Sequence, residues 1–399
     1  MATFYNSAFP LNIKQNNADG TLAYSQNDII DFKIAMRTGR CMKSGSLRIS
    51  GDLLVQKYTY NGWVNVTQED HVFLDPYVGI QSFFRNASTS VNGAVIENIQ
   101  YLPRWVAMKR QANYTLEGIN TSSKCLSELC GSQNNIMLAN EGATGVSFSF
   151  SPETCVNKSD GDLGQSKFGE MRLSFNLANA LESLYTTREE TSAYMTFGDE
   201  LPGFTNLRYS IGDIQARWIE GVEVPSKIPV NFLTCSLVTQ TLLSANSFFA
   251  ITTPTPYTSL SLSFIYQSHR NSMFFNNNQC ELVQGLLGTA GRLEIEVNGN
   301  QGPVKFPLYN YQEVALNYWK SLNGALKSSI MNSYLSQGAS QSTTNSTNVS
   351  GTTFGIGCSF VESVNDRVSF ALQIDPSYYT QDTIPPRDTF IYTSGLLSV

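Results

Sequence analysis

Apolar and polar residues alternate along most of this chain, and no other feature of the sequence restricts its fold as strongly. The stretches with this alternation are SLRIS (46–50), GVSFSFS (145–151), MRLSFNL (171–177), SLSLSF (259–264), RLEIEV (292–297) and RVSFALQI (367–374). Successive side chains of a β-strand point to opposite faces, so a period of two places the apolar residues of each stretch on one face. The alternation therefore predicts a mainly β protein made of antiparallel sandwiches instead of βαβ units.

The tripeptide Val-Asn-Gly occurs at 91–93 and again at 297–299, which is 206 residues later. Each copy is followed by a polar stretch, an aromatic residue and a helical pattern, LPRWVAMKRQ from Leu102 and YQEVALNYWKSLNGALKSSIMNSYL from Tyr311. The offset has the size of a domain, and 399 residues are enough for two. We therefore predict two tandem jelly-roll sandwiches with a few short helices, divided in the polar segment 177–203 into domains 1–197 and 198–399.

Charged residues make up only 15% of the chain, aromatic residues make up 12%, and the net charge is −6. Neither terminus has a run of Lys or Arg that could neutralise phosphates, so we expect no direct binding of nucleic acid. The N-terminal segment lacks the basic and apolar regions of a signal peptide, and no apolar stretch approaches the ~18 residues of a transmembrane helix. We expect a soluble chain that is not secreted by the usual route.

Residues that could carry out catalysis or hold a metal are few. The two histidines, His71 and His269, lie in no recognisable nucleophile or metal-ligand motif. Asp160 and Asp162 in SDGDLGQS resemble the start of a calcium loop, but no bidentate Glu completes it, so the stretch reads equally as a turn. Carboxylates distant in sequence could still converge in a cleft, as in glycoside hydrolases. We predict no catalytic, cofactor-binding or metal-binding residue, and no cofactor.

Seven cysteines are scattered along the chain without the CxxC pairs of zinc sites, which favours reduced thiols. Cys125 and Cys130 are five residues apart and do not share a helix face. Gly355 and Gly357 in GIGCSF lack the third glycine of a dinucleotide fingerprint and favour a strand packed closely against another element. The tract 336–353, rich in Ser, Thr and Asn, predicts a surface loop.

The second half carries a more specific order of elements. A long strand from Asn206 is followed by a stretch ending near Gln240 and by a strand that ends in Phe264-Ile265-Tyr266-Gln267. QCELVQGLLG, RLEIEVNGN, PLYNYQEVALNYWKSL and TTFGIGCSFVESVNDRVSFALQID come next in that order. In this order the segment 206–266 and the elements after it resemble the second jelly roll of double jelly-roll major capsid proteins. Adenoviruses, tailless membrane-containing phages, virophages, polinton-like viruses and large nucleocytoplasmic DNA viruses share that family.

The first half resembles the first jelly roll of that family less closely, because an aromatic-x-Gln strand ending is not obvious there. The resemblance implies a major capsid protein of an icosahedral DNA virus, a homotrimer that forms pseudo-hexagonal capsomers and has no enzyme activity. It implies assembly inside the host cell into the virion capsid. The implied partners are neighbouring capsomers and vertex and minor capsid proteins, with an inner viral membrane as a further candidate. Two alternatives stay open, namely a glycan-active enzyme or carbohydrate-binding protein on tandem jelly rolls, and a viral vertex or receptor-binding protein.

Overall fold

The structure is a computed structural model of the chain. It describes residues 4–12, 23–67, 70, 72–75, 77–113, 128, 136–137, 146–186, 205–224, 228–242, 246–251, 256–273, 276–278, 280, 292–297, 301–307, 317–318, 320–322, 355–364, 368–373 and 386–399. In these ranges the chain is mainly strand, and every strand pair is antiparallel, as the alternation predicts. None of the helices described is long and apolar enough to cross a membrane.

The strands fall into an N-terminal and a C-terminal series. The first series is β1 (Phe4–Ala8), β2 (Ala23–Ser25), β3 (Ile29–Ala35), β4 (Arg40–Met42), β5 (Arg48–Thr59), β6 (Gly62–Asn65), β7 (Val72–Leu74), β8 (Phe84–Val91), β9 (Ala94–Ile99), β10 (Ile136–Met137), β11 (Val146–Phe150), β12 (Leu163–Gly164), β13 (Glu170–Leu177), β14 (Tyr185–Thr186) and β15 (Asn206–Val222). The second series is β16 (Asn231–Leu242), β17 (Asn246–Ile251), β18 (Tyr257–Tyr266), β19 (Arg292–Val297), β20 (Gln301–Pro307), β21 (Ile356–Val364), β22 (Val368–Gln373) and β23 (Arg387–Ser398). The helical elements are α1 (Leu102–Asn113), the single turns Gln165–Phe168 and Ala180–Ser183, and the 3-10 turns Gly79–Phe83 and Cys155–Lys158.

Two sheets form the first sandwich. One has the order β11-β5-β15-β4-β12, with β1 and β2 on β15 and β6 on β5, and the other has the order β3-β13-β8-β9. Along β13, Met171, Leu173 and Phe175 are buried while the residues between them are more exposed, so one face of the strand lies in the core. A small sheet, β10-β7-β14, lies beside these two.

The second sandwich repeats this plan with sheets β16-β23-β18-β21 and β17-β22-β19-β20. The hairpin β19–β20 lies at the edge of its sheet, as the hairpin β8–β9 does in the first sandwich. These hairpins contain the two Val-Asn-Gly tripeptides. In the first, Asn92 and Gly93 have φ of 49° and 85°, which a two-residue turn between twisted strands requires. The repeated tripeptide therefore lies in corresponding hairpins of the two sandwiches. Residues 298–300 of the second hairpin lie outside the described residues.

A helix follows the hairpin in both halves, as predicted. In the first half this is α1, and Pro103 occupies its first turn, where the missing N–H has no intrahelical partner to lose. In the second half residues 317–318 and 320–321 are helical, and the rest of the predicted helix lies outside the described residues. The sequence indicated one apolar side for the first helix, but residues 102–110 are all buried. The reason is that α1 lies between the two sandwiches, and the buried apolar residues of both form one connected cluster around it.

Strand β15 belongs to the first sandwich. It pairs with β5 from Asn206↔Tyr58 to Arg217↔Arg48 and with β4 further along the same edge, whereas its other edge pairs with β1 and β2. The resemblance placed this strand at the start of the second jelly roll, and that placement is wrong for the sheet pairing. Alternation in sequence indicates which residues of a strand are buried but does not indicate which sheet the strand joins. The boundary at 197/198 stays a prediction; it assigns β15 to the second domain, whereas the pairing with β5 joins β15 to the first sandwich.

Candidate functional site at the seam between the sandwiches

Helix α1 and the preceding Tyr101 pack against β18 and β23, and we call this contact the seam. Trp105 stacks on Tyr392 with ring centroids 5.4 Å apart and an interplanar angle of 29°. Tyr101 meets Phe390 edge to face at 5.0 Å, and the Tyr392 hydroxyl donates to the Tyr101 carbonyl at 3.0 Å. Offset and edge-to-face aromatic pairs add to the burial of large apolar surfaces. The seam therefore joins the two sandwiches by packing and not only by the covalent chain.

Two cations of α1 are buried in the seam. The Arg104 guanidinium donates to Ser263 Oγ at 2.8 Å and to the Asn277 carbonyl. Lys109 Nζ donates to the Leu322 carbonyl at 2.8 Å, and burial lowers the pKa of Lys109. A charge can be buried where hydrogen bonds replace its water. Each of these acceptors belongs to the second half, so the polar contacts fix the orientation of α1 on the second sandwich.

A second buried contact joins β9 and the turn Cys155–Lys158 to β16. At its centre the Glu97 carboxylate accepts from the Cys155 amide at 2.7 Å and from the Cys235 amide. Burial raises the pKa of Glu97 to about 7, and the negative charge of Glu153 acts in the same direction, whereas the amide hydrogen bonds act against it. Glu97 therefore changes its charge near neutral pH within the contact between the sandwiches.

A cleft opens beside the seam at Tyr101. Its lining includes Ser82, Arg85, Tyr101 and Glu182 from the first half and Arg270 and Asn277 from the second. Its volume is about 30 Å³, which is room for one or two water molecules.

The two aspartates of the predicted turn contact different protein groups. Asp160 accepts from the Asn231 amide at 2.8 Å and from Asn231 Nδ2 at 2.6 Å, and these hydrogen bonds lower its pKa. Asp162 accepts from the Ser44 amide at 3.1 Å and pairs with Lys43. Within the described ranges, no three His, Cys, Asp or Glu side chains are grouped as a metal site would need. Asp160 thus helps to attach the start of β16 to the first sandwich.

Other residues considered in the sequence have packing roles where the structure describes them. The His269 ring lies 5.0 Å from that of Tyr266, in the turn after β18, and His71, Cys125 and Cys130 lie outside the described residues. A Cβ atom at Gly357 would clash with Ser321 Oγ, so the predicted close packing of this strand is confirmed. Five cysteines are described, and all are buried, namely Cys41, Cys155, Cys235, Cys280 and Cys358.

Comparison with known proteins shows what this arrangement is. No family model and no curated protein matches the chain. Among solved structures, the Faustovirus major capsid protein matches with a TM-score of 0.61 at 8% identity, over 100% of this chain and 90% of that one. A chain of the Sputnik virophage structure matches with a TM-score of 0.59 at 12% identity, over 100% and 86%. The mavirus major capsid protein matches with a TM-score of 0.51 at 8% identity, over 99% and 90%.

The chain has the double jelly-roll fold. The match to the capsid structures extends through both sandwiches, because it covers 99–100% of this chain and 90% of the Faustovirus and mavirus chains. At such low identity the likeness concerns the fold and not individual residues. The double jelly-roll fold is therefore inferred from the similarity of the backbones. The functional residues of this chain are inferred from its own contacts.

Sequence reasoning missed the buried charged residues at the contacts between the two sandwiches. Glu97 carried a signal, because it stands at the position of β9 that alternates with Ile99, and a carboxylate at an inward position is unusual. The sequence of α1 carried a second signal of burial. Its charged residues Arg104, Lys109 and Arg110 are spread around the helix and leave it without a purely polar side. Both signals indicate that these charged residues are buried, but neither identifies the atoms that pair with them.

Proposed function

We propose that the chain is a major capsid protein of an icosahedral DNA virus, assembled in the host cell and located in the virion capsid. The observation that carries the proposal is a pair of sandwiches joined around α1 in the double jelly-roll fold, each with a four-stranded sheet whose strands lie in the chain order first, fourth, second, third. Three copies around a threefold axis present six similar sandwiches, which gives a pseudo-hexagonal outline suited to tiling. The role is structural and needs no reactive side chain.

We propose two domains that meet between β15 and β16. The pairing of β15 with β5 supports an end of the first domain near Val222, and β16 begins the second at Asn231. Each domain then contains one complete pair of sheets. This division lies some 25 residues after the boundary at 197/198 that the sequence predicts.

Self-association has a candidate surface on the first sandwich, the N-terminal strip of Phe4, Tyr5, Phe9, Leu11 and Ile29. These side chains are between 38% and 80% exposed, and no charged residue occurs between Ala2 and Ile13. Strand β1 pairs with β15, and its second edge has no strand partner among the residues described. Monomers usually protect such an edge with charge, proline or a covering element.

We propose a second copy of the chain as the occupant of this strip. Its side chains offer on the order of 500 Å² of apolar surface, against about 800 Å² per partner in a standard interface. Because the segment from Ala2 to Ile13 has no charged residue and the Arg40 guanidinium lies over the Phe4 ring, copies of a chain with net charge −6 meet little like-charge repulsion there. Neighbouring capsomers, vertex and minor capsid proteins and an inner membrane would contact other faces. With a net negative charge and no basic run, the chain would not bind the genome directly.

The first test is the oligomeric state of the purified protein. We expect a particle of 132 kDa, three times the chain mass of 44.1 kDa, in analytical ultracentrifugation. Negative-stain images should show a hexagonal outline. Pentamers would indicate a vertex protein instead, and a monomer that cleaves or binds glycans would overturn the capsid proposal.

The second test concerns the N-terminal strip. Tyr5→Lys combined with Phe9→Lys introduces two charges into the contact, and we expect the trimer to dissociate at a protein concentration at least about tenfold higher than for the parent. Sedimentation over a dilution series measures this. The control is Tyr60→Lys, which charges an aromatic residue that is 104% exposed at the β5–β6 turn. If the parent is a trimer and the double variant is equally stable as a trimer, the strip is not the contact, while the capsid proposal stands.

A further inference from the structure

Two arginines from different sandwiches converge on the phenol of Tyr101 in the cleft beside the seam. The guanidinium carbons of Arg85 and Arg270 each lie 5.0 Å from the Tyr101 ring centroid. Arg85 Nη2 donates to the Tyr101 hydroxyl at 3.0 Å, and Arg270 Nη2 donates to the same oxygen. Two donors on one oxygen lie within about 6 Å of each other. Two positive charges are thus held close together at the junction of the sandwiches.

Carboxylates compensate these charges only in part. Glu182 lines the cleft, and its Oε2 lies 3.7 Å from Arg85 Nε, while Arg270 pairs with Asp388 beside the cleft. Arg104 is a third guanidinium in the lining. Asp75 also attracts Arg104, but Asp75 is buried, does not line the cleft, and has its pKa raised by that burial. With Asp388 counted, the three guanidinium groups at the cleft face two carboxylates, so one positive charge is in excess.

Two further features point into the same cleft. Ser82 is fully buried and lines it, and its hydroxyl has no hydrogen-bond partner among the residues that the structure describes. Buried hydroxyls are seldom left in this state unless a water or an ion completes them. Tyr101 has φ of 49°, a left-handed conformation that costs energy for a bulky side chain. Strained backbone conformations of this kind cluster at binding sites and active sites, where the surrounding structure holds the residue in place.

We propose that this cleft binds a small monovalent anion of chloride size between Arg85, Arg270 and the Ser82 hydroxyl. The volume of about 30 Å³ admits one such ion. Charge-assisted hydrogen bonds from guanidinium and hydroxyl groups suit an anion, and the two arginines come from opposite sandwiches. A bound anion would therefore act as a bridge across the seam and stabilise the joined sandwiches by mass action.

Bromide and chloride test this proposal. In crystals soaked with sodium bromide, we expect an anomalous peak in the cleft within hydrogen-bond distance of Arg85 and Arg270. In solution, the unfolding temperature should rise as chloride replaces gluconate at constant ionic strength, which separates binding from screening. Arg85→Gln should weaken the apparent chloride affinity by about tenfold or more, since a charge-assisted hydrogen bond is lost.

The matched control is Arg208→Gln, which removes a guanidinium that lies 4.3 Å over the Trp63 ring and away from the cleft. It should keep the parent's response to chloride. Ser82→Val fills the cleft without removing an arginine and should abolish the bromide peak. This variant tests the site independently if Arg85→Gln does not fold. Ordered water in place of bromide, or equal chloride responses in the parent and Arg85→Gln, would overturn the proposal. A bromide peak without any chloride-dependent stability would show an adventitious ion only and would overturn it as well.

Discussion

Replacing Trp105 with alanine is expected to lower the free energy of unfolding by about 3–5 kcal/mol, the usual cost of truncating a buried aromatic residue to alanine. The Trp105 ring is 3% exposed and stacks on Tyr392 of the second sandwich, so the substitution leaves a cavity in the seam. It also removes the ring beneath Lys109, whose Nζ lies 5.4 Å from the Trp105 centroid. Chemical denaturation at a fixed protein concentration measures the loss, because assembly would add a concentration-dependent contribution.

The location of Trp105 predicts a second effect in calorimetry. If the seam joins two sandwiches that each have their own pair of sheets, weakening it should separate their unfolding. We expect one thermal transition in the parent and two in Trp105→Ala.

Trp63→Ala is the matched control for this substitution. Trp63 is partly exposed in β6, between Tyr58 at 5.2 Å and the Arg208 guanidinium at 4.3 Å. Tyr58 and Arg208 both belong to the first sandwich, so truncating Trp63 should cost about 1 kcal/mol and leave a single transition. Equal losses for the two tryptophans would contradict the role assigned to the seam.

Much of the fold could be predicted from the sequence because one physical rule repeats along it. Alternation with a period of two predicts strands. Asn and Gly readily adopt the left-handed backbone conformation, so Asn92-Gly93 predicts the hairpin turn. Pro103 after that hairpin gives the start of α1. Each of these inferences depends on neighbouring residues only. The repetition at an offset of 206 residues then indicates two similar units.

The features that the sequence could not predict depend on contacts between distant residues. The partner of β15 is β5, some 160 residues earlier, and the alternation of β15 would suit either sandwich. The acceptors of Arg104 and Lys109, at Ser263 and Leu322, follow from how the two sandwiches dock and are not indicated by the sequence around α1. Local patterns identify elements, whereas the seam is determined by their assembly.

Glu97→Gln is expected to remove a pH dependence of stability that the parent has between pH 4.5 and about 7. Burial raises the pKa of Glu97 from 4.5 to about 7, so the folded state holds this proton more tightly than the unfolded state. Its contribution to stability is complete below pH 4.5 and declines as the pH rises towards the folded value. A shift of this size corresponds to about 3 kcal/mol. Glutamine does not titrate, so this decline should be absent in the variant.

Other groups around Glu97 set the background of this measurement. Cys155 and Cys235 face its carboxylate, and the nearby charges are those of Glu153, Lys109 and Lys158. Glutamine places an amide group where two backbone amides donate, which should cost about 1–3 kcal/mol at every pH. The informative quantity is therefore the change with pH of the stability difference between variant and parent.

Urea denaturation at pH 4.5, 6 and 8 supplies this difference. We expect it to shift by about 3 kcal/mol in favour of Glu97→Gln across the series. Glu170→Gln is the control, because Glu170 is half exposed in an ion pair with Lys33 and its removal should cost less than about 1 kcal/mol. If the two variants follow the same pH profile, the Glu97 carboxylate does not control the contact between β9 and β16. If only Glu97→Gln loses the decline, then neutral pH weakens the contact between the sandwiches and mild acid strengthens it.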